Sequence, residues 1–341
     1  MLKKMKAITI AEAGGPEVLR MHDIDKPCLS DANDVLVKII AAGVNPGDCQ
    51  VRQAGAPPYA AGDGRQQFSV PGMDGTGIVE AVGPGITDIR PGDEVWYYDG
   101  GYADRHGSYA EYKLINGHYL AKKPETLDFI TAAALPVVAL TAWEAVMERA
   151  DVKPGDFVLV HGGAGGVGHI SIQLALLRGA RVATTVSSGA KQALAHSLGA
   201  ELVINYRNED VASAVAAWSG KDGADVVLDY VGRDNFASSM DLVAPYGTLV
   251  NTVVADWPSG NNMAAEYKNI SVKFVNIGLP QVTANHAYRM RQTRVLQEIS
   301  RLVDAGKLRV HLDRTYPLSE AGAAHRALEA GEILGRVVIT I

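Results

Sequence analysis

Gly163-Ala164-Gly165-Gly166-Val167-Gly168 has the spacing GxGxxG, between an apolar run, Phe157 to Val160, and apolar residues at helical intervals, Val167, Ile170, Leu174 and Leu177. At a dinucleotide site each glycine has a physical task. The first allows a tight turn, the second lets backbone approach a pyrophosphate, and the third lets helix pack on strand. The helix N-terminus adds free N–H groups and the positive end of a dipole. A second apolar strand, Arg181 to Val186, ends in Ser187-Ser188, and no Asp or Glu occurs between Asp156 and Glu201. An NAD site uses an acid there to bind the ribose 2′-OH. Hydroxyls followed by the ammonium of Lys191 suit a 2′-phosphate instead. The predicted cofactor is therefore NADPH, the plainer alternative being that Lys191 is only a solvated helix residue.

These residues need a scaffold, and the pattern supplies one. From Phe157 onward, strand candidates Leu202 to Tyr206, Asp225 to Asp229, Thr248 to Val254 and Ser271 to Ile277 alternate with helical stretches Gln192 to Leu198, Asp210 to Trp218 and Phe236 to Val243. That alternation predicts an α/β, doubly wound parallel sheet. Residues 1–125 are β-rich and glycine-punctuated, with short runs Ala7 to Ile10, Val35 to Ile40, Gly77 to Val82 and Glu94 to Tyr97, which suggests a compact barrel or sandwich. An alanine-rich helical stretch follows from Thr131, interrupted at Pro136. After Gly278 come a long helix (Arg289 to Ala305), a second (Ser319 to Ala330) and a last strand, Arg336 to Ile341. The expected division is 1–125, 126–278 and 279–341, the third segment returning to the first domain and the cofactor lying in a cleft between domains.

Composition narrows the function classes. The chain has 341 residues, 47% hydrophobic and 21% charged, a balance that suits a globular protein with a large core. A net charge of −6 disfavours nucleic acid or an anionic membrane as the main partner. Two cysteines, Cys28 and Cys49, cannot make a disulfide framework or a four-cysteine zinc lobe. The start, MLKKMKAITI, has no long apolar core of a signal peptide, and no run approaches membrane-spanning length, so a cytoplasmic protein is expected.

The chain as a whole resembles the zinc-independent branch of the medium-chain dehydrogenase/reductases, in particular the NADPH:quinone oxidoreductase (zeta-crystallin-like) group. The resemblance is carried by Val44-Asn45-Pro46-Gly47-Asp48 with Arg52 and Gly55, PGMDGTGIVEAVG (Pro71 to Gly83), PGDEVW (Pro91 to Trp96) and GSYAEY (Gly107 to Tyr112). It continues through AAALPVVALTAWEA (Ala132 to Ala145), the glycine loop, VINYRNED (Val203 to Asp210) and RTYPLSEAGAAHRALEAG. The resemblance implies a GroES-like catalytic domain, a Rossmann domain and a homodimer. It further implies that Asn45 reaches the nicotinamide or its ribose and Thr141 touches the nicotinamide end. Gly165, Gly166 and Val167, with Gly163 at the turn, would hold the pyrophosphate, and Ser188, Lys191 and Tyr206 the 2′-phosphate.

Zinc alcohol dehydrogenases share this scaffold, and metal chemistry separates the branches. In that branch a Cys stands where this chain has Asn45 and a His where it has Met73, and neither replacement is a credible zinc ligand. No metal is expected. Without a Lewis acid, an unactivated ketone is a poor acceptor, whereas a quinone or α,β-unsaturated carbonyl already carries its electron sink. The expected reaction is NADPH-dependent reduction of quinones or enones by hydride transfer. Alternatives are a 2-alkenal or enoyl-thioester reductase and a non-catalytic NADPH-binding protein. Cys49, Gln50 and Val51 stand where quinone reductases often have a Tyr, and pocket shape is expected to come from loops such as Gly55 to Ser69. Tyr97 to Tyr102 reads as a loop that either caps the pocket or is a surface turn. Asp48 and Arg52 read as a structural pair or loop anchor, and His161 as a residue packed under the glycine loop.

Overall fold

The computed structural model describes residues 3–55, 68–102, 105–253 and 263–341. Most of the loop Gly55 to Ser69 lies outside them. The chain forms two compact units, Met1–Val137 with Gly278–Ile341, and Val138–Ile277.

The first unit begins with the antiparallel pair β1 (Lys4–Thr9) and β2 (Arg20–Asp25), followed by β3 (Asp34–Gly43), α1 (Pro46–Ala54), β4 (Asp74–Val82), β5 (Glu94–Tyr98), β6 (Tyr112–Asn116), β7 (Leu120–Lys122) and α2 (Phe129–Ala133). β3 is the hub: it pairs with β4 and β6, and at its far end with the chain's last strand. Burial on both faces explains why Val35, Leu36, Val37, Ile39, Ala41 and Ala42 form a nearly continuous apolar run. Val35, Val37, Val79, Val95, Tyr97 and Ile115 pack in one cluster. Met5, Ile8, Val44, Tyr109, Leu318 and Val337 pack in another.

Pro136 does not merely interrupt a helix. It is the first residue of the next one, α3 (Pro136–Trp143), where its fixed φ is tolerated. The second unit continues with β8 (Phe157–His161), α4 (Gly168–Leu177), β9 (Arg181–Val186), α5 (Gly189–Ser197), β10 (Leu202–Asn205), α6 (Val211–Ser219), β11 (Ala224–Asp229), α7 (Asn235–Asp241), β12 (Val243–Asn251), α8 (Met263–Tyr267) and β13 (Ser271–Phe274). These six strands form one parallel sheet in the order β10-β9-β8-β11-β12-β13. The order reverses at β8, the switch point at which doubly wound sheets bind ligands.

Two expectations need correction here. The apolar spacing of Val167, Ile170, Leu174 and Leu177 does not mark which residues of α4 are buried: every residue from Gly168 to Ala175 is buried, and Leu177 is 43% exposed. The strand expected from Thr248 begins at Val243, so α7 is shorter than its apolar pattern suggested. Pro245-Tyr246-Gly247 looks like a turn, yet the strand runs through it with a register shift and Tyr246 at φ 62°.

The remaining residues of the first unit are α9 (Leu279–Val282), α10 (His286–Asp304), β14 (Leu312–Pro317), α11 (Ala321–Glu329) and β15 (Arg336–Thr340). β15 lies antiparallel on β3, with Ile339 opposite Ala42, and β14 extends the sheet beyond it. The last strand therefore brings Arg336 to the end of β3, beside Asn45.

Candidate active site

The glycine loop divides into packing positions and an open rim. A Cβ on Gly163 would lie 1.9 Å from Thr184 Oγ1, and one on Gly168 would lie 2.3 Å from the Gly162 carbonyl oxygen. These two glycines are required by protein packing. A Cβ on Gly165 would meet only the Gly162 oxygen, at 3.2 Å. Gly165, Gly166 and Val167 are half-buried. Among the described residues, the amides of Gly166 and Val167 have no protein acceptor, while those of His169, Ile170 and Ser171 already donate within the first turn. The rim thus offers unpaired N–H groups at the N-terminus of a ten-residue helix, and its openness fits a pyrophosphate.

The end of β9 makes a second corner. Ser188 caps α5, accepting from the Lys191 amide at 3.4 Å, and Lys191 Nζ lies 3.4 Å from Ser187 Oγ. β10 runs parallel beside β9 with Asn205 opposite Val186, and the Tyr206 amide donates to the Val186 carbonyl oxygen at 3.2 Å. Ser188, Lys191 and Tyr206 therefore share one corner, and Tyr206 is 54% exposed, not a packed strand-end aromatic. Ser187 joins this group. The Ser-Ser doublet was its only signal.

Asn45 lies in the first unit, 1% exposed. Its Nδ2 donates to Asp74 Oδ1 at 2.9 Å and Asp48 Oδ2 at 3.2 Å, its backbone N–H donates to Asp48 Oδ2 at 2.8 Å, and its Oδ1 accepts from Arg336 Nη2 at 2.8 Å. Both side-chain N–H groups are thus engaged, so toward any ligand the amide can only accept. Two buried carboxylates face one buried guanidinium in this network. Burial, followed by the neighbouring Asp74 charge, pushes Asp48 up to about 7, against the opposing pull of the Asn45 hydrogen bonds and Arg336. Burial also raises Asp74, with Arg336 and the Val137 amide opposing it. Arg336, 291 residues along the chain from Asn45, gives no local signal in the sequence.

Asp48 and Arg52 are not a pair. Arg52 instead binds Glu329 at 2.5 Å, the Gly14 carbonyl oxygen and His325 Nδ1, because α11 packs against α1. Cys49 lies 3.4 Å from that same His325 nitrogen, an arrangement with the outline of a nucleophilic dyad. Burial, then the charges of Asp48 and Glu329, push the thiol up to about 12, and burial lowers His325 to about 4. The thiol stays protonated.

Tyr97 and Tyr98 are buried in β5 and form no surface turn, and the Tyr98 hydroxyl lies 2.6 Å from that of Tyr102. Asp99 beside them is fully buried between Lys113 Nζ, at 3.1 Å, and the Arg289 guanidinium, and those two cations lower its carboxyl against the effect of burial. Thr141 lies in α3 of the second unit, 8% exposed.

A zinc ion does not suit the position of Asn45. The amide and the Met73 thioether are poor zinc donors, and the Arg336 guanidinium, 2.8 Å from the Asn45 oxygen, would repel a dication. Among the described residues no group of three or more His, Cys, Asp or Glu side chains could hold a metal ion. No helix among them is long and apolar enough to cross a membrane.

Comparison with known proteins agrees with this architecture. Residues 31–125 match the alcohol dehydrogenase GroES-like domain and residues 198–339 match a family described as zinc-binding dehydrogenase. The chain is 32% identical to a quinone oxidoreductase of Pseudomonas aeruginosa over 98% of this chain and 99% of that one. It is 31% identical to a 2-haloacrylate reductase of Burkholderia sp over 98% of each chain. The crystal structure of Escherichia coli quinone oxidoreductase complexed with NADPH superposes with a TM-score of 0.84 at 28% identity, covering 99% of both chains. A GroES-like domain followed by a Rossmann sheet, with near-full-length identity above 30%, places this protein in the quinone oxidoreductase family of medium-chain dehydrogenase/reductases, a family of oxidoreductase enzymes.

Proposed function

We propose that this protein is a metal-free, NADPH-dependent reductase of quinones or other activated α,β-unsaturated carbonyls. The observation that carries the reading is the acid-free corner at the end of β9, where Ser187, Ser188, Lys191 and Tyr206 gather. An ammonium and hydroxyls bind a 2′-phosphate by charge-assisted hydrogen bonds, whereas a 2′-hydroxyl would find no carboxylate to accept from it. Gly166 and Val167 receive the pyrophosphate on their free amides, with the open side of Gly165 leaving room for it over the tight turn at Gly163. The cofactor's nicotinamide supplies the hydride. Asn45, whose amide can only accept, orients the nicotinamide ribose or carboxamide by taking a hydrogen bond from it, and Thr141 lines the nicotinamide end. The Asn45 amide is itself held by Asp48, Asp74 and Arg336, so its orientation is fixed before the cofactor arrives.

An acceptor that carries its own electron sink needs no Lewis acid, consistent with a donor set that suits no zinc. The NADPH complex of the Escherichia coli relative supports the cofactor, and the quinone oxidoreductase relatives support the substrate class. A second reading, reduction of a small activated alkene, is favoured by the 2-haloacrylate reductase relative and by Cys49-Gln50-Val51. We also infer a homodimer: among the described residues β13 ends the parallel sheet with no strand on its outer edge, and its Phe274 is 46% exposed.

The test of the cofactor is Lys191→Ala. It should raise the Kd for NADPH about tenfold or more, the worth of one charge-assisted contact, and leave NADH unchanged. Equal losses for both cofactors would refute the assignment of this corner.

A further inference from the structure

Three polar side chains stand in one row across the carboxyl edge of the parallel sheet. His161 ends β8, Asp229 ends β11 and Asn251 ends β12, each opposite the next in register. Their exposures are 4%, 0% and 0%. Asp229 is fully engaged: Oδ1 accepts from the Val231 and Gly232 amides and Asn235 Nδ2, and Oδ2 accepts from Ser239. Asn251 Oδ1 accepts from the Val253 amide at 2.8 Å. Thr185 Oγ1, on β9, accepts from the Gly162 amide at 3.2 Å and lies 3.1 Å from His161 Nδ1. Among the described residues Nδ1 is the one acceptor within reach of the Thr185 hydroxyl proton, and a proton given to it there leaves the ring proton on Nε2.

In this row two side-chain atoms find no partner among the described residues, His161 Nε2 and Asn251 Nδ2. Both are donors, and no acceptor is left over. Buried orphan donors are rare because each forfeits its hydration. These two flank the switch point, His161 directly before the glycine loop and Asn251 two strands away. What fits them is a ligand rich in oxygen acceptors, the same character as the free amides of Gly166 and Val167 select. We propose that His161 and Asn251 are positioning residues for the dinucleotide, donating from Nε2 and Nδ2 to oxygens that arrive with it at the switch point. The inference rests on the NADPH reading above. It assigns these residues to the part common to NADPH and NADH, in contrast to Lys191.

The test is direct binding to the full chain, measured by quenching of intrinsic fluorescence with NADPH and, separately, NADH. In His161→Asn the amide can replace Nδ1 toward Thr185 while Nε2 is lost; in His161→Gln the amide nitrogen can stand in for Nε2. Asn251→Leu removes the other donor at similar volume. His161→Asn and Asn251→Leu should each raise Kd about tenfold for both cofactors, and His161→Gln should remain within about twofold. Unchanged Kd values in folded His161→Asn and Asn251→Leu would overturn the proposal, because the donors would then serve the fold alone. Wild-type protein that bound neither cofactor would instead defeat the NADPH reading itself. Should a variant not fold, a ¹⁵N-histidine spectrum of the wild type decides: NADPH must shift the His161 Nε2–H signal, and a static signal refutes the contact.

Discussion

Gly163→Ala isolates the packing requirement of the glycine loop from its ligand-facing role. The new Cβ would lie 1.9 Å from Thr184 Oγ1, about 1.5 Å inside ordinary contact, with Thr184 Cβ at 2.8 Å and Ile172 Cδ1 at 2.9 Å. Thr184 cannot simply rotate away, because its hydroxyl donates to the Val160 carbonyl oxygen at 2.6 Å. Forced overpacking costs about 1–3 kcal/mol and a displaced buried hydrogen bond about 1 more, so the loss should be about 2–4 kcal/mol. Urea unfolding followed by far-UV circular dichroism reads it. Thr184→Ala removes the worst contact and should restore part of the stability in the double variant, a coupling of at least ~0.5 kcal/mol. Gly165→Ala is the control: its Cβ meets one atom, at 3.2 Å, so stability should change by less than ~1 kcal/mol while NADPH binding weakens. A Gly163→Ala variant as stable as wild type, or additive behaviour with Thr184→Ala, would refute the reasoning.

Other consequences follow from the buried charges of the first unit. Asp48 binds its proton more tightly folded than unfolded, so its contribution to stability is full below the ordinary carboxylate range and is lost as pH rises through about 7. Asp48→Asn should therefore flatten the decline in urea midpoint between pH 5 and pH 8; an unaltered slope would show that other groups cause it. Asp99→Asn leaves Lys113 and Arg289 buried without a counter-charge and should cost about 3–5 kcal/mol, checked by the same unfolding measurement. The Cys49 thiol, pushed up to about 12, should resist iodoacetamide at pH 8. Mass spectrometry should then find label only on the exposed Cys28, and a second label only after denaturation.

Much of this was legible because the signals are local. The glycine loop, the acid-free run after it and the strand–helix alternation predict the parallel sheet and the open glycine rim at its switch point from contiguous residues. Ser188, Lys191 and Tyr206 meet because β9 and β10 are parallel neighbours, which the alternation already implies. What was not legible depends on contacts distant in sequence. Asn45 looks like a ligand-facing residue in its motif, yet Arg336 from the final strand and Asp74 from β4 take up its side chain. Arg52 sits four residues from Asp48, a spacing that suggests an ion pair, but α11 presents Glu329 to it instead. The orphan donors of His161 and Asn251 could not be recognised before the register of β8, β11 and β12 was known.

The central claim is hydride transfer from NADPH to an activated acceptor without a metal. The measurement that tests it most directly is NADPH oxidation by chelator-dialysed protein of determined metal content, with 1,4-benzoquinone, 9,10-phenanthrenequinone, a 2-alkenal and 2-chloroacrylate as acceptors. The account predicts turnover with at least one of these, at a rate that added zinc does not raise. Activity that disappears with chelation and returns with one equivalent of zinc would contradict it.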